Sequence, residues 1–519
     1  MKRVPAILIC AVMILALAAA CTTTPPNNSP NAPSADFSQP PEEIKIVYYA
    51  GGGWVEREND QDVLDAINEE FAKKFNKTLS FEVLTTVADG PNQFQQAIIH
   101  LAAGAIDIFN IPGNFTQMSN IMFQPNSVKP LSDVVNQYGQ NYLAICNEMQ
   151  PGMLGKVTIN GNLMCLPLPC PATAWVGAAI RKDLLDEIGE PIPNTFDEFE
   201  SVLYKLRDAF PEIIPLDAAQ LPWAFMNGMC GQFIPESQVT ADGGVVPQVN
   251  SAMGIPCLPT TQEWKDWVKQ MAAWYKDGIW NPELFVWPQS QSEDMIKQGK
   301  TAAAFIHYNS LVDFSINGME WVPLWDMTAL YGRPLIYGYV TQPNRFFGVA
   351  YNASAKVTET IVQYLDWIAS DEANAQLAWQ GREGFEYNLV NGEIVKVQAS
   401  PALYSSTWFL MCGFHEADIT KKFSKEGNTL RETVYLPKLY DRANFPAVDI
   451  ILQTMPFDTT KLTCNPTDLE TMSNETVMKV IMGELPPGDI DKLEERMNAI
   501  GLQEYNEARS EQYRTLDTK

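Results

Sequence analysis

The run Ile44-Lys45-Ile46-Val47-Tyr48-Tyr49, followed at once by Ala50-Gly51-Gly52-Gly53-Trp54, decides the fold. β-Branched and aromatic residues read as a strand, and the glycines that follow read as a turn. Downstream, Val63, Ile67, Phe71 and Phe75 recur at i, i+4, which predicts a helix over 60–75. Residues 79–84 alternate as a second strand. Phe94, Ala97, Ile98 and Leu101 mark a second helix, stopped by Gly104, and residues 106–111 form a third strand. Strands alternating with helices are the pattern of an α/β sheet with parallel crossovers.

Further along, a hairpin is predicted around Asn160-Gly161. It leads into a Pro-rich extended segment, Pro167-Leu168-Pro169-Cys170-Pro171, and then a buried strand. Thr195-Phe196-Asp197-Glu198 is a capping box opening a helix with Phe196, Phe199, Leu203, Leu206 and Phe210 on one face. A second box, from Thr260 to Glu263, opens a helix carrying Trp264, Trp267 and Trp274. Their spacing is that of one buried face, so they are assigned to core rather than to a sugar platform. Gly299-Lys300 precedes a strand over 301–306, and Ile361, Tyr364, Leu365 and Ile368 mark another helix. In the tail, Ile490, Leu493, Met497 and Ile500 predict one amphipathic helix over 489–505. Internal repeats are not evident.

The N-terminus adds a compartment. Lys2 and Arg3 precede an apolar run from Val4 to Ala20 ending Leu17-Ala18-Ala19-Ala20, and Cys21 follows directly. Basic start, apolar middle and small residues at a cut site make a secretory signal over residues 1–20. A Cys in that place resembles a bacterial lipobox, in which the Cys is lipidated. Ala18 stands where Leu is commonest. An ordinary signal with an incidental Cys, or an uncleaved anchor, is the other reading. The run is short for a span of about 20 residues and contains Pro5. Residues 22–41 hold six prolines among Thr, Asn and Ser, a composition that favours an extended tether over a packed element. With Cys21 this makes 21–41 a spacer, and the mature chain is expected outside the cytoplasm, anchored to the cell membrane by lipid such as palmitate.

The formal charge is −26, and losing Lys2 and Arg3 with the signal makes it −28. Such a surface argues against nucleic acid or anionic lipid as a partner. It is indifferent to a neutral ligand, and the 13 Trp, 18 Tyr and 24 Phe suit stacking as well as core. Beyond Cys10 and Cys21 stand Cys146, Cys165, Cys170, Cys230, Cys257, Cys412 and Cys464. Their odd number leaves at least one unpaired in a monomer. Cys165-x4-Cys170 could be a disulfide or two free thiols, and it lacks the second Cys or His pair a zinc site needs. Free Cys packing as a small hydrophobe is the preferred reading for most of them.

The order of segments resembles the extracellular solute-binding proteins of bacterial ABC importers, specifically the family 1 lipoproteins related to maltose-binding protein. Four stretches carry the resemblance: Ala178 to Asp186 with Pro193 to Phe199; Trp274 to Glu283; Ile296 to Ala304; and Gly348-Val349-Ala350 through Leu365-Asp366-Trp367-Ile368 to Gly381-Arg382-Glu383-Gly384. With the lipobox, the likeness runs through nearly the whole mature chain. It implies an α/β, two-lobed, periplasmic-binding-protein-like (type II) fold with a central ligand cleft. Lobe one would be 42–168 and 311–388, and lobe two 169–310 and 389–519, with the prolines at 167–171 in a hinge crossing. The implied function is capture of a small-molecule ligand, a sugar or oligosaccharide, by a monomer that delivers it to an ABC permease. No cofactor or metal is implied.

Ligands of such sheets sit at the carboxyl ends of strands. Aromatics stack on sugar faces, and polar side chains bond the hydroxyl rim. Trp54 follows the first strand with no amphipathic face to explain it, although core is equally open. Asn110 and Asn114 follow the third strand, where a plain turn is the other reading. His307 and Tyr308 end the strand after Gly299. Trp379, Arg382 and Glu383 lie near the lobe boundary and suit hinge or ligand. The resemblance places Trp223 and Asn227 at a ligand-facing position and Trp408 where an aromatic stacks on sugar.

Two rivals stand beside this reading. A lipid-anchored glycoside hydrolase would need two carboxylates flanking a bond, which 62 acids do not exclude. However, the chain carries no Gly-x-Ser-x-Gly, His-Glu-x-x-His or P-loop motif. Its three His are His100, His307 and His415, and none points to a triad. The second rival, a binding or sensing protein without a transporter, would use the same fold.

Overall fold

The structure is a computed structural model. It describes residues 37–51, 56–85, 91–110, 121–149, 153–167, 176–217, 237–239, 245–247, 262–287, 289–307, 314–324, 339–340, 346–398, 402–405, 447–448 and 458–517. Two sheets carry the cores. Their strands are β1 (Glu42–Gly51), β2 (Lys77–Thr85), β3 (Ile108–Asn110), β4 (Leu166–Pro167), β5 (Val176–Arg181), β6 (Ile214–Asp217), β7 (Thr301–His307), β8 (Trp321–Pro323) and β9 (Phe346–Val349). The first sheet has the order β2-β1-β3-β9-β4, and the second β8-β5-β7-β6.

The predicted opening holds. β1 pairs in parallel with β2 over nearly its whole length and with β3 at Tyr48–Ile108. The helix Asp60–Phe75 buries Val63, Leu64, Ile67 and Phe71. It ends where Asn76 turns left-handed at φ 50° and donates its N–H to the Ala72 carbonyl. β9 returns antiparallel to β3, pairing Gly348 with Phe109. The helix Ala355–Ser370 packs on this lobe, with Ile361, Tyr364, Leu365 and Ile368 all fully buried.

The second lobe is built around tryptophan. Trp264, Trp267 and Trp274 lie on the helix Gln262–Lys276 and are buried, as their spacing requires. Phe196 stacks on Trp274 at 5.7 Å, and Trp267 meets Trp274 edge-on. Trp274 Nε1–H donates to Glu200 Oε1 at 2.6 Å, so the indole's polar edge is satisfied. The Thr195 capping box forms as predicted at the start of the helix Phe196–Ala209. The Asn160-Gly161 hairpin forms too, with both residues at positive φ. Thr260 of the other predicted box lies outside the described residues.

The chain alternates between two hydrophobic cores. The first draws on positions 44–166, 346–378 and 404, and the second on 178–324 and 469–502. Two segments fall on the other core from the one the sequence boundaries give. Phe314 to Leu324, expected in lobe one, includes β8, which pairs with β5 in the second sheet and places Leu324 in the second core. Tyr404, expected in lobe two, is buried in the first core, and its hydroxyl donates to the Ala378 carbonyl at 2.6 Å.

The tail also departs from expectation. A 3-10 turn, Pro487–Asp489, and two helices, Leu493–Asn498 and Leu502–Asp517, replace the single helix predicted over 489–505. The break is at Gly501, with φ +108°, where a Cβ would lie 2.3 Å from Cys464 Cβ. Ile490, Leu493 and Met497 still reach the second core, so the apolar period was right and the helix boundaries were not. Cys146 and Cys165 are buried free thiols, and Cys464 is a half-buried one.

Candidate functional site

The parallel strands of the first sheet end together at Gly51, Thr85 and Asn110. In the second sheet, the parallel pair β6 and β7 ends at Asp217 and His307, with the antiparallel β5 beginning at Val176 opposite His307. These strand ends are where an α/β sheet presents a ligand site. Asn110, the last residue of β3 rather than a residue beyond it, pairs with Phe347 of β9. Its side-chain Oδ1 is shielded from solvent and has no hydrogen-bond partner among the described residues. A shielded acceptor of this kind favours an incoming donor.

The other sequence candidates divide. Trp54, Asn114, Trp223, Asn227, Tyr308 and Trp408 lie outside the described residues, as does the Pro-rich segment after Pro167. Trp379, on the helix Glu372–Gln380, packs against the first core and against Tyr387 and Ile394. Arg382 is committed within the protein. Its Nη2 pairs with Glu386 Oε1 at 2.8 Å and with Asp62 at 3.1 Å, and its backbone N–H donates to Glu386 Oε2 at 2.6 Å. Glu383 is exposed, and its negative charge adds to burial in pushing the Tyr387 hydroxyl up to about 12.

Two family-like stretches prove architectural. Arg181, at the end of β5, bonds the Asp183 carboxylate and the Gly299 carbonyl, and Asp183 accepts the Glu320 N–H at 3.1 Å. Burial pushes the Asp183 carboxyl up, but the Arg181 and backbone hydrogen bonds outweigh it and hold the group below the usual range. Asn281, fully buried, donates to Asp217 Oδ2 at 3.1 Å and accepts the Glu283 N–H. Its own N–H donates to the Leu216 carbonyl. The end of β6 is thereby fixed by the Trp280-Asn281-Pro282-Glu283 turn.

Two residues that the sequence reading passed over hold the first lobe's rim. Asp60 accepts hydrogen bonds from Arg57 and Ser405, and Glu386 accepts from Arg382 and Asn59. Glu386 had a local signal, the i+4 spacing from Arg382. For Asp60 only the Arg57 contact, three residues away, is local; Ser405 is 345 positions away and left no local signal.

Two sheets, two cores and a chain that alternates between them define the class: a two-lobed α/β protein. The profile of the bacterial extracellular solute-binding proteins matches residues 66–400, and the chain belongs to that family. Its setting is therefore extracytoplasmic. Solved structures share the fold across almost their full length. The alginate-binding protein AlgQ2 has a TM-score of 0.65 at 16% identity, over 91% of this chain and 98% of that one. The N-glycan transport solute-binding protein NgtS of Streptococcus pneumoniae has 0.64 at 13%, over 92% and 98%. An HMO-binding, ABC-transporter-associated solute-binding protein of Bifidobacterium longum infantis has 0.59 at 15%, over 91% and 98%. At such identities the likeness is one of fold. No curated protein matches the chain. Among the described residues, no helix is long and apolar enough to cross a membrane.

Proposed function

We propose that this chain is the substrate-binding lipoprotein of an ABC importer, and that it captures an oligosaccharide between its lobes and hands it to a membrane permease. One observation carries the reading. The family match is joined by a fold likeness spanning about nine-tenths of the chain to proteins described as binding alginate, N-glycans, kestose and maltose. Cys21 and the Pro-rich tract to residue 41 supply the anchor and leash. The strand ends at Asn110, Asp217 and His307 face the cleft, and Trp54, Trp223 and Trp408 stack on the sugar. Closure is driven by contacts the solute makes only with the closed form.

The test is thermal stabilisation of residues 36–519 against maltose, kestose, Man5GlcNAc and an alginate oligosaccharide, with peptides as the contrasting panel. A sugar at a hundredfold excess over its Kd stabilises by about 2.7 kcal/mol. Stabilisation by peptides alone removes carbohydrate as the cargo. Products released from any sugar in the panel overturn the transport reading in favour of hydrolysis.

A further inference from the structure

The chain passes between the lobes at the carboxyl ends of their strands. It leaves the first sheet at Pro167, which pairs with Phe346 beside the Asn110–Phe347 pair. It joins the second at Val176, which pairs with His307, the last residue of β7. The two sets of strand ends therefore face each other. One connection at this end of the second sheet is fully placed by its neighbours. Residues 279–281 run parallel beside β6: the Leu216 N–H donates to the Ile279 carbonyl at 3.0 Å, and the Asn281 N–H donates to the Leu216 carbonyl at 2.9 Å. The helix Gln289–Lys297 then leads back to the start of β7, where the Lys300 carbonyl accepts the Ile214 N–H at 2.8 Å. A strand that runs forward and a helix that runs back are joined at the carboxyl end of the sheet, where ligands of α/β proteins sit. Residues 282–287 lie in that join. They curl into one helical turn, in which the Glu283 carbonyl accepts the Val286 N–H at 2.8 Å and the Trp287 N–H at 3.0 Å.

The side chains of this turn divide. Leu284 is buried in the second core and Phe285 packs against it. Val286 is 62% exposed, and Trp287 is half-buried and belongs to neither core. Trp264, Trp267, Trp274 and Trp280 are all buried in the second core. Among the described residues the Trp287 indole makes no ring contact and no side-chain hydrogen bond. A large aromatic left out of the core at a strand end is informative in a way that a scattered exposed aliphatic is not. Glu283 stands four residues earlier in the same helical turn, so both side chains leave it on one face. Its carboxylate is half-buried and has no hydrogen bond among the described residues. We propose that Trp287 and Glu283 form a sugar subsite on the second lobe, in which the indole stacks on a ring of the oligosaccharide and the carboxylate accepts its hydroxyls. An ionised carboxylate only accepts hydrogen bonds and meets a hydroxyl rim as such. It repels an acidic ring, so the subsite selects neutral sugars over uronates such as those of alginate. The proposal rests on the carbohydrate reading above.

The experiment compares Trp287→Ala, Trp287→Phe and Glu283→Gln with the native protein. Affinity is measured by calorimetry for maltose, kestose, Man5GlcNAc and an alginate oligosaccharide. Trp287→Ala is expected to weaken the tightest neutral sugar at least about tenfold while leaving the melting temperature of the unliganded protein unchanged, as at a position outside the core. Trp287→Phe keeps a ring and retains most of the affinity. The native protein is expected to bind the alginate oligosaccharide at least about tenfold more weakly than that neutral sugar, and Glu283→Gln to narrow the gap from both sides. Fluorine NMR of protein carrying fluorotryptophan gives a second readout that serves if Trp287→Ala does not fold. The line missing from Trp287→Phe belongs to Trp287, and saturating sugar is expected to shift it. A sugar that binds the native protein and Trp287→Ala alike, or leaves that line in place, overturns the subsite while the carbohydrate reading stands. An alginate oligosaccharide that binds best, or a gap that Glu283→Gln leaves unchanged, overturns the role of Glu283. If no sugar in the panel binds the native protein, the carbohydrate reading falls and the subsite falls with it.

Discussion

Asp366, in the middle of the helix Ala355–Ser370, caps another helix 225 positions earlier in the chain through Asn141. Its Oδ1 accepts the Asn141 N–H at 2.6 Å and the Tyr142 N–H at 3.2 Å, and its Oδ2 accepts the Asn141 side-chain amide at 2.9 Å. The first N–H groups of the helix Gln140–Met149 thus find their acceptor on a neighbouring element rather than on a local cap.

Asp366→Ala is expected to destabilise the protein by about 2–3 kcal/mol, because it leaves shielded helix-start donors without an acceptor. Asp366→Asn recovers part of this through its remaining carbonyl oxygen. Asp371 makes a local cap on exposed chain, accepting the Ala373 N–H at 2.7 Å, so Asp371→Ala costs only about 1 kcal/mol. Chemical denaturation of the three variants checks the order. An Asp366→Ala loss no larger than that of Asp371→Ala would refute the capping role.

Gly348→Ala is expected to cost about 1–3 kcal/mol. A Cβ at Gly348 would lie 2.2 Å from Phe109 Cζ, in the β3–β9 pair at the centre of the first sheet. Phe109→Leu in the same chain should return part of the loss, read as a melting temperature above that of Gly348→Ala alone. If the double variant melts lower still, the ring is not the obstacle.

Stability should decline on the alkaline side. Burial pushes the Cys146 thiol up from 9.0 to about 12, with the Tyr142 hydrogen bond pulling weakly the other way. Burial raises Cys165 and Tyr142 too, and Tyr142 is raised further by Cys146 and Cys165. The unfolded chain releases these protons at lower pH than the native one. Their contribution is therefore complete below pH 9.0 and lost progressively toward about 12. Cys146→Ala should flatten this limb in denaturation series run from pH 8 to 11; an unchanged slope would assign the alkaline loss to other groups. At pH 8 the native protein should resist alkylation at Cys146 and Cys165 and accept it once unfolded.

The anchor proposed above predicts that the native protein partitions into the detergent phase on phase partitioning of cells and that Cys21→Ser moves it to the aqueous phase. A variant that stays with the membrane would show that something other than a lipid on Cys21 holds it.

The sequence disclosed much of the scaffold and less of the rim. The i, i+4 run from Val63 to Phe75 and the box at Thr195 each became the expected helix, because both signals are local. The three tryptophans at helical spacing went to core for the same reason. The strand expected over 106–111 runs only from Ile108 to Asn110, and Asn110 closes it rather than following it. Arg382 looked available for hinge or ligand, yet Glu386 and Asp62 take up its charge. A candidate chosen by residue type and position carries no record of which acid lies beside it after folding.

What the sequence determined by itself was the alternation of strand and helix, the apolar faces and the caps, all set by the 2-residue and 3.6-residue periods of the backbone. The tertiary structure alone decided that β8 joins the second sheet, that Gly501 breaks the tail helix against Cys464, and that Asp60 and Asp366 serve Ser405 and Asn141. The reason is physical. A buried polar group must be satisfied, but its partner can come from any segment that packing delivers, and no local period encodes which one.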